Sequence, residues 1–286
     1  MSSMTKSAQK HPMLSIMVAL NCEAKPWVDL YKLKKVINTP FELYAREGVE
    51  IEIVVTGIGA SAMSTAIGWL AGINRQRSRA WLNLGIAGHA EKPLGELVRV
   101  HAFIDASDLK HYYPPLTAAC KNQSEALLSV NAPTSTYPES AMVDMEGLAF
   151  YRSACMFSDS ELIASLKVVS DNQENSFEGL NAAKITALMQ PHTDAVDKLI
   201  KSLITLAKKP QLNDILLVLA HLRRSHSQQQ QLERLLAKAA VLKLHDEISE
   251  DYFSEHKAIR DVLAELESKV NQTAPVLREY DGAQNG

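Results

Sequence analysis

The 286-residue chain has no apolar run of about 18 residues, the length that a membrane-spanning helix needs. Its first ten residues are polar and serine-rich and lack the apolar centre of a secretory signal, so the cytoplasm is the expected compartment. No excess of positive charge is present: 30 Lys and Arg against 33 Asp and Glu leave a formal charge of -3. No global basic field therefore argues for a nucleic-acid partner. The three cysteines, Cys22, Cys120 and Cys155, form neither a C-x-x-C pair nor a metal-ligand spacing, and read as reduced, packed thiols. Cofactor signatures are missing too. The stretch Gly57-Ile58-Gly59-Ala60-Ser61-Ala62 lacks the third glycine of a dinucleotide turn and the lysine of a P-loop. What remains is 46% hydrophobic and 22% charged, the composition of a soluble globular chain that can bury a core of normal size.

Apolar runs of strand length recur, each followed by a polar or glycine-rich exit. Leu14–Leu20 ends in Asn21-Cys22-Glu23, with a helix expected from Pro26 to Leu33 because proline suits a first turn. Phe41–Tyr44 and Val49–Val55 alternate around Glu47-Gly48 and read as a hairpin. The second strand enters Thr56-Gly57-Ile58-Gly59, whose backbone N–H groups suit an anion or a polar sugar edge, and then a helix from Ala62 to Ile73. Ala80–Leu84 reads as a buried strand leaving through a loop at Gly85–His89, and Gly95–Asp105 as another strand. Residues 106–140 carry little pattern and read mostly as loops. A short helix over Glu161–Lys167 is expected to lead into a strand ending at Ser170-Asp171.

The stretch Val143-Asp144-Met145-Glu146-Gly147 organises the rest. On an extended segment, Asp144 and Glu146 point to one side and Met145 to the other. A helix starting at Gly147 would place both acids at a strand-to-helix junction, where ligands bind in α/β folds. The alternative is an acidic helix start favoured by the helix dipole, and the same choice applies to Glu23. Residues 181–210 read as helical. Beyond them, Ile215–Leu222, Leu232–Leu244 and Glu255–Val270 carry helical spacing. The expected organisation is a tail over 1–11, a mixed α/β layered domain over 12–208 and a helical extension over 209–286, with frayed residues after 273.

In order, Ala19-Leu20-Asn21-Cys22-Glu23, Thr56-Gly57-Ile58-Gly59, Asn83-Leu84-Gly85-Ile86-Ala87-Gly88, Val143-Asp144-Met145-Glu146 and Val169-Ser170-Asp171 resemble the motifs of the nucleoside phosphorylase / methylthioadenosine–S-adenosylhomocysteine nucleosidase superfamily, over residues 14–205. The resemblance implies a three-layer fold with a mixed sheet flanked by helices, and cleavage of the N-glycosidic bond of a nucleoside. It implies that Met145 and Glu146 contact the ribose, and that Ser170 and Asp171 hold the purine, with Asp171 as general acid at N7. Glu23 would position or activate water. Gly59, Ile86, Ala87 and Gly88 would lie against the substrate, and Asp144 stands where the nucleosidases usually carry glutamate. A homodimer is the expected assembly by analogy.

The chemistry is consistent with these residue types. The bond breaks through a cationic sugar, which a carboxylate stabilises, and protonation makes the base a better leaving group. Phosphorylases grip phosphate with arginines and a hydroxyl in the glycine loop. Here Ile86 and Ala87 fill that loop, and Arg46 is the sole candidate arginine near the hairpin. Water is thus the expected acceptor and a 5′-modified adenosine the expected substrate, with no cofactor and no metal. A phosphorylase or a non-catalytic nucleoside-binding scaffold stands as the alternative. Phe103, Tyr112 and Tyr137 are the candidates to stack on the base, and Cys22 lacks a neighbouring base that would make it a nucleophile.

Overall fold

The computed structural model describes residues 12–73, 79–118, 120, 122–208, 219–242, 244, 248 and 258–273. Two compact units divide the chain, Met1–Lys208 and Lys209–Gly286. Among the described residues, no helix is long and apolar enough to cross a membrane.

The first unit is built on ten strands: β1 (Leu14–Val18), β2 (Lys34–Val36), β3 (Glu42–Ala45), β4 (Ile51–Val55), β5 (Ala80–Gly88), β6 (Leu97–Asp105), β7 (His111–Tyr112), β8 (Ser124–Ser129), β9 (Ala141–Asp144) and β10 (Ile163–Asp171). They run in the order β10-β6-β8-β9-β5-β1-β4-β3-β2, with β7 on β6. A further pairing of β10 with β5 closes β5, β10, β6, β8 and β9 into a ring. Strands β1, β4, β5 and β10 are mutually parallel, so their C-terminal ends meet at one edge of the sheet. Parallel strands are covered on both faces and hence apolar throughout. All five residues of β1 and all nine of β10 are buried.

Alternation along the strands divides the core in two. Leu14, Ile16, Ile53, Leu82 and Leu84 pack with Trp27 of α1 (Asn21–Tyr31), Met189 of α4 (Ala182–Met189) and Leu199 and Leu203 of α5 (Thr193–Ala207). Met17, Val54 and Trp81 face the other way, toward Met63, Ile67 and Leu70 of α2 (Ala60–Ile73) and Phe150 of α3 (Gly147–Ala154). The period of two thus produces the three layers expected from the sequence.

Several local expectations need correction. Helix α1 starts at Asn21, not Pro26, so Pro26 lies inside it. Proline has no N–H to give to the carbonyl four residues back. That carbonyl, on Cys22, instead accepts the Thr186 hydroxyl of α4 at 3.0 Å. Gly85–Gly88 is not a loop but the end of β5, held by β10 through Lys167↔Gly85 and Asp171↔Gly88. Residues 106–140 hold two strands, β7 and β8, the latter pairing in parallel with β6 and β9. The helix expected over Glu161–Lys167 is reduced to a 3-10 turn at Ser160–Leu162, because β10 already starts at Ile163. Strand β2 adds an unforeseen edge to the hairpin. The helix expected over 181–210 is interrupted by a 3-10 turn at Gln190–His192, which contains Pro191.

The second unit contains α6 (His226–Val241), α7 (Ile259–Gln272) and a 3-10 turn at Leu219–His221. Leu232, Leu235, Leu236 and Ala239 of α6 pack with Ile259, Val262, Leu263 and Leu266 of α7. The spacing of three and four residues on both helices accounts for that seam. The expected tail over 1–11 lies outside the described residues, as do residues 215–218 and 274–286.

Candidate active site

At the edge where the parallel strands end, a cavity of about 280 Å³ is lined by Glu23, Asp144, Glu146 and Asp171, together with Ile86, Ala87, Gly88, Met145 and Ser170. Among the described residues, no lysine or arginine lines it. Arg46 is exposed on the turn between β3 and β4, away from this lining.

Glu23 is the third residue of α1, and its carboxylate turns back on the chain. Oε2 accepts the Ala19 and Leu20 N–H groups at 2.9 Å each, and Oε1 accepts the Ile86 N–H at 2.9 Å. One side chain therefore does both things, capping α1 and facing the cavity. A Cβ on Gly85 would stand 2.7 Å from Glu23 Oε1, so a larger residue there would have to push that carboxylate aside. Burial pushes the Glu23 carboxyl above its ordinary value, against the opposing pull of Lys167 and the backbone donors.

Asp144 closes β9 and Glu146 precedes α3. The Asp144 carboxylate is fully engaged. Oδ1 accepts the Ser129 hydroxyl at 2.7 Å, and Oδ2 accepts the Gly147 N–H at 2.8 Å and lies 2.8 Å from Lys167 Nζ. Glu146 Oε1 accepts the Gly59 N–H at 2.6 Å. Gly59 therefore does not line the cavity; the anion its N–H meets belongs to the protein. Burial, then the nearby Asp144 charge, raises the Glu146 carboxyl. Met145 was expected on the opposite side from the two acids, yet it lines the same cavity, because β9 ends at Asp144 and the extended alternation ends with it.

Asp171 ends β10 at a register shift relative to β5. Its Oδ2 accepts the Tyr137 hydroxyl at 2.5 Å, and its Oδ1 accepts the Ser170 hydroxyl. A Cβ on Gly88 would stand 2.6 Å from Oδ2 and 2.4 Å from Tyr137 Cε1. Tyr137 is thus the stacking candidate that reaches the cavity. Phe103 instead stacks on Tyr151 in the core at 4.9 Å, and Tyr112 lines a different hollow. Phe177, which the sequence did not single out, also lines the cavity.

Lys167 is the residue that sequence reasoning missed. It is a lysine within the apolar run Leu166-Lys167-Val168-Val169, and a charge at such a position needs a buried partner. Burial alone would lower its ammonium. The carboxylates of Asp144, Glu146 and Glu23 outweigh that and hold it above its ordinary value. Ser129 was missed with the strand that carries it. Cys22 does not line the cavity, and burial, then Glu23, raises its thiol, which opposes a nucleophilic role. No cluster of three or more metal-ligating side chains occurs among the described residues.

No protein-family profile and no curated protein sequence matches the chain. Solved structures do. The 5′-methylthioadenosine nucleosidase of Arabidopsis thaliana superposes with a TM-score of 0.54 at 14% identity, over 72% of this chain and 99% of that one. A nucleosidase from Chlamydia trachomatis gives 0.53 at 21% identity, over 68% and 100%. The futalosine hydrolase of Helicobacter pylori gives 0.52 at 14%, over 66% and 97%. Over 66–72% of its length, the chain therefore shares the fold of these nucleosidase and futalosine hydrolase structures.

Proposed function

We propose that the chain hydrolyses the N-glycosidic bond of a purine nucleoside, with a 5′-modified adenosine as the substrate class. The observation that carries this reading is the convergence of four buried carboxylates on a cavity whose described lining contains no cation. Such a site suits a developing sugar cation. It does not suit phosphate, because the ammonium that offsets its acids, Lys167, is already bound to Asp144.

In this account, Glu146 accepts the ribose hydroxyls, with one oxygen fixed by Gly59. Asp171 delivers a proton to N7 of the base as the C1′–N9 electron pair leaves with the base. A water oxygen then bonds to C1′ and gives its proton to Glu23. Burial favours the last step, since a carboxylate whose proton affinity is raised is a stronger base. Asp144 and Lys167 position this group rather than react. Assay of adenine and free sugar from methylthioadenosine, S-adenosylhomocysteine and 5′-deoxyadenosine in phosphate-free buffer tests the reading. Formation of a sugar phosphate, only when phosphate is added, would replace hydrolysis by phosphorolysis.

A further inference from the structure

Tyr137 is the only buried side chain between residues 131 and 140, in a connection that otherwise runs over the surface. Its ring packs with Ala90 and Val143 and lies so close to Gly88 that no Cβ would fit there. Its hydroxyl sits 2.5 Å from Asp171 Oδ2, on the carboxylate that the proposed reaction needs for the base. The opposite oxygen accepts Ser170, and the Asp171 carbonyl accepts the His89 N–H at 3.1 Å, so the residue itself is fixed. We propose that Tyr137 is a latch on the base site: its hydroxyl holds Asp171 and must let go before a purine can engage that carboxylate.

The inference rests on the reading of Asp171 as the base-binding acid. Its consequence is thermodynamic. A ligand that binds one of two states appears weaker by the fraction of molecules in the competent state. A phenol donating to an ionised carboxylate is a charge-assisted bond, strong enough to hold the latched state in excess, and Asp171 takes up from solvent the proton it later gives to N7 only once that bond is released. Removing the hydroxyl should therefore tighten base binding, whereas removing a group that contacts the base should weaken it.

The test is calorimetric titration of adenine into the full chain, wild type against Tyr137→Phe and Tyr137→Leu, each checked for an intact thermal transition. The latch predicts that both variants bind adenine roughly 10-fold to 100-fold more tightly than wild type, the range expected for one bond to a charged group. Unchanged or weaker binding by Tyr137→Phe overturns it. Tightening by Tyr137→Leu alone also overturns it, since the ring rather than the hydroxyl would then be the obstacle. If adenine binds none of the three proteins, the base-site reading fails and takes the latch with it. Binding to wild type without a gain in the variants sinks the latch alone.

Discussion

Lys167 Nζ lies 2.8 Å from Asp144 Oδ2, with each side chain about 2% exposed, so one buried ion pair joins the middle of β10 to the end of β9. Among the described residues, the pair carries the ammonium that the nearby acids Glu23 and Glu146 share, and it ties β10 to β9 across the ring of strands. Breaking a buried pair leaves an uncompensated charge, a loss of about 3–5 kcal/mol. Lys167→Met should cost that much in chemical denaturation. The double variant Asp144→Asn with Lys167→Met should cost clearly less than the sum of the two single changes. Additive costs would show that the pair does not act as a unit.

The same lysine sets a pH dependence. In the proposed reaction Glu146 must be ionised to accept both ribose hydroxyls, so activity should fall as pH drops and the carboxyl takes up a proton. Burial and Asp144 raise that carboxyl above 4.5, and Lys167 opposes the rise. The acid limb of kcat/KM should therefore lie above pH 4.5 in the wild type and move higher in Lys167→Met, while Lys167→Arg keeps it near the wild-type position. A limb that moves downward in Lys167→Met contradicts the assignment. In the folding balance, a carboxyl that holds its proton longer in the folded state costs stability as pH rises from the ordinary carboxylate range. Glu23 and Glu146 both act in this direction.

Gly85 offers a change aimed at one carboxylate. An alanine Cβ would stand 2.7 Å from Glu23 Oε1, the oxygen that accepts the Ile86 N–H. Gly85→Ala should displace Glu23 and lower kcat by at least about tenfold, as misplaced catalytic groups do, while the secondary structure seen by circular dichroism stays intact. Normal kcat in a folded Gly85→Ala protein would remove Glu23 from the reaction.

Thr186→Val tests a purely structural bond. Its hydroxyl serves the Cys22 carbonyl that Pro26 leaves without a helical donor. The loss should be about 1 kcal/mol of unfolding free energy, the usual worth of one hydrogen bond. A Pro26→Ala background should reduce the loss, because the helix can then supply the missing N–H itself.

The legible part of the site was the part carried by short motifs at strand ends. Glu23, Asp144, Glu146 and Asp171 come from three separate stretches of sequence, and the shared direction of β1 and β10 brings two of those exits to one edge. The illegible part depends on pairings that local pattern does not encode. Strand β8 reads Ser-Glu-Ala-Leu-Leu-Ser, with two adjacent leucines in place of alternation, so neither it nor Ser129 stood out. Lys167 gave the one usable warning, a charge inside an apolar run, but its partner lies 23 residues away in sequence and is met only in the fold. Tyr137 is one of three candidates for the base, but it sits among prolines, serines and threonines that signal a loop, and nothing local singles it out from Phe103 and Tyr112.

The most direct test of the central claim is the rate of adenine release from 5′-modified adenosines without phosphate, for wild type and for Asp171→Asn. The account predicts release by the wild type and a fall of about 10²–10⁴ in the variant, the usual contribution of a general acid. Equal rates in the two proteins, or no release from any purine nucleoside by a wild type that binds adenine, would contradict it.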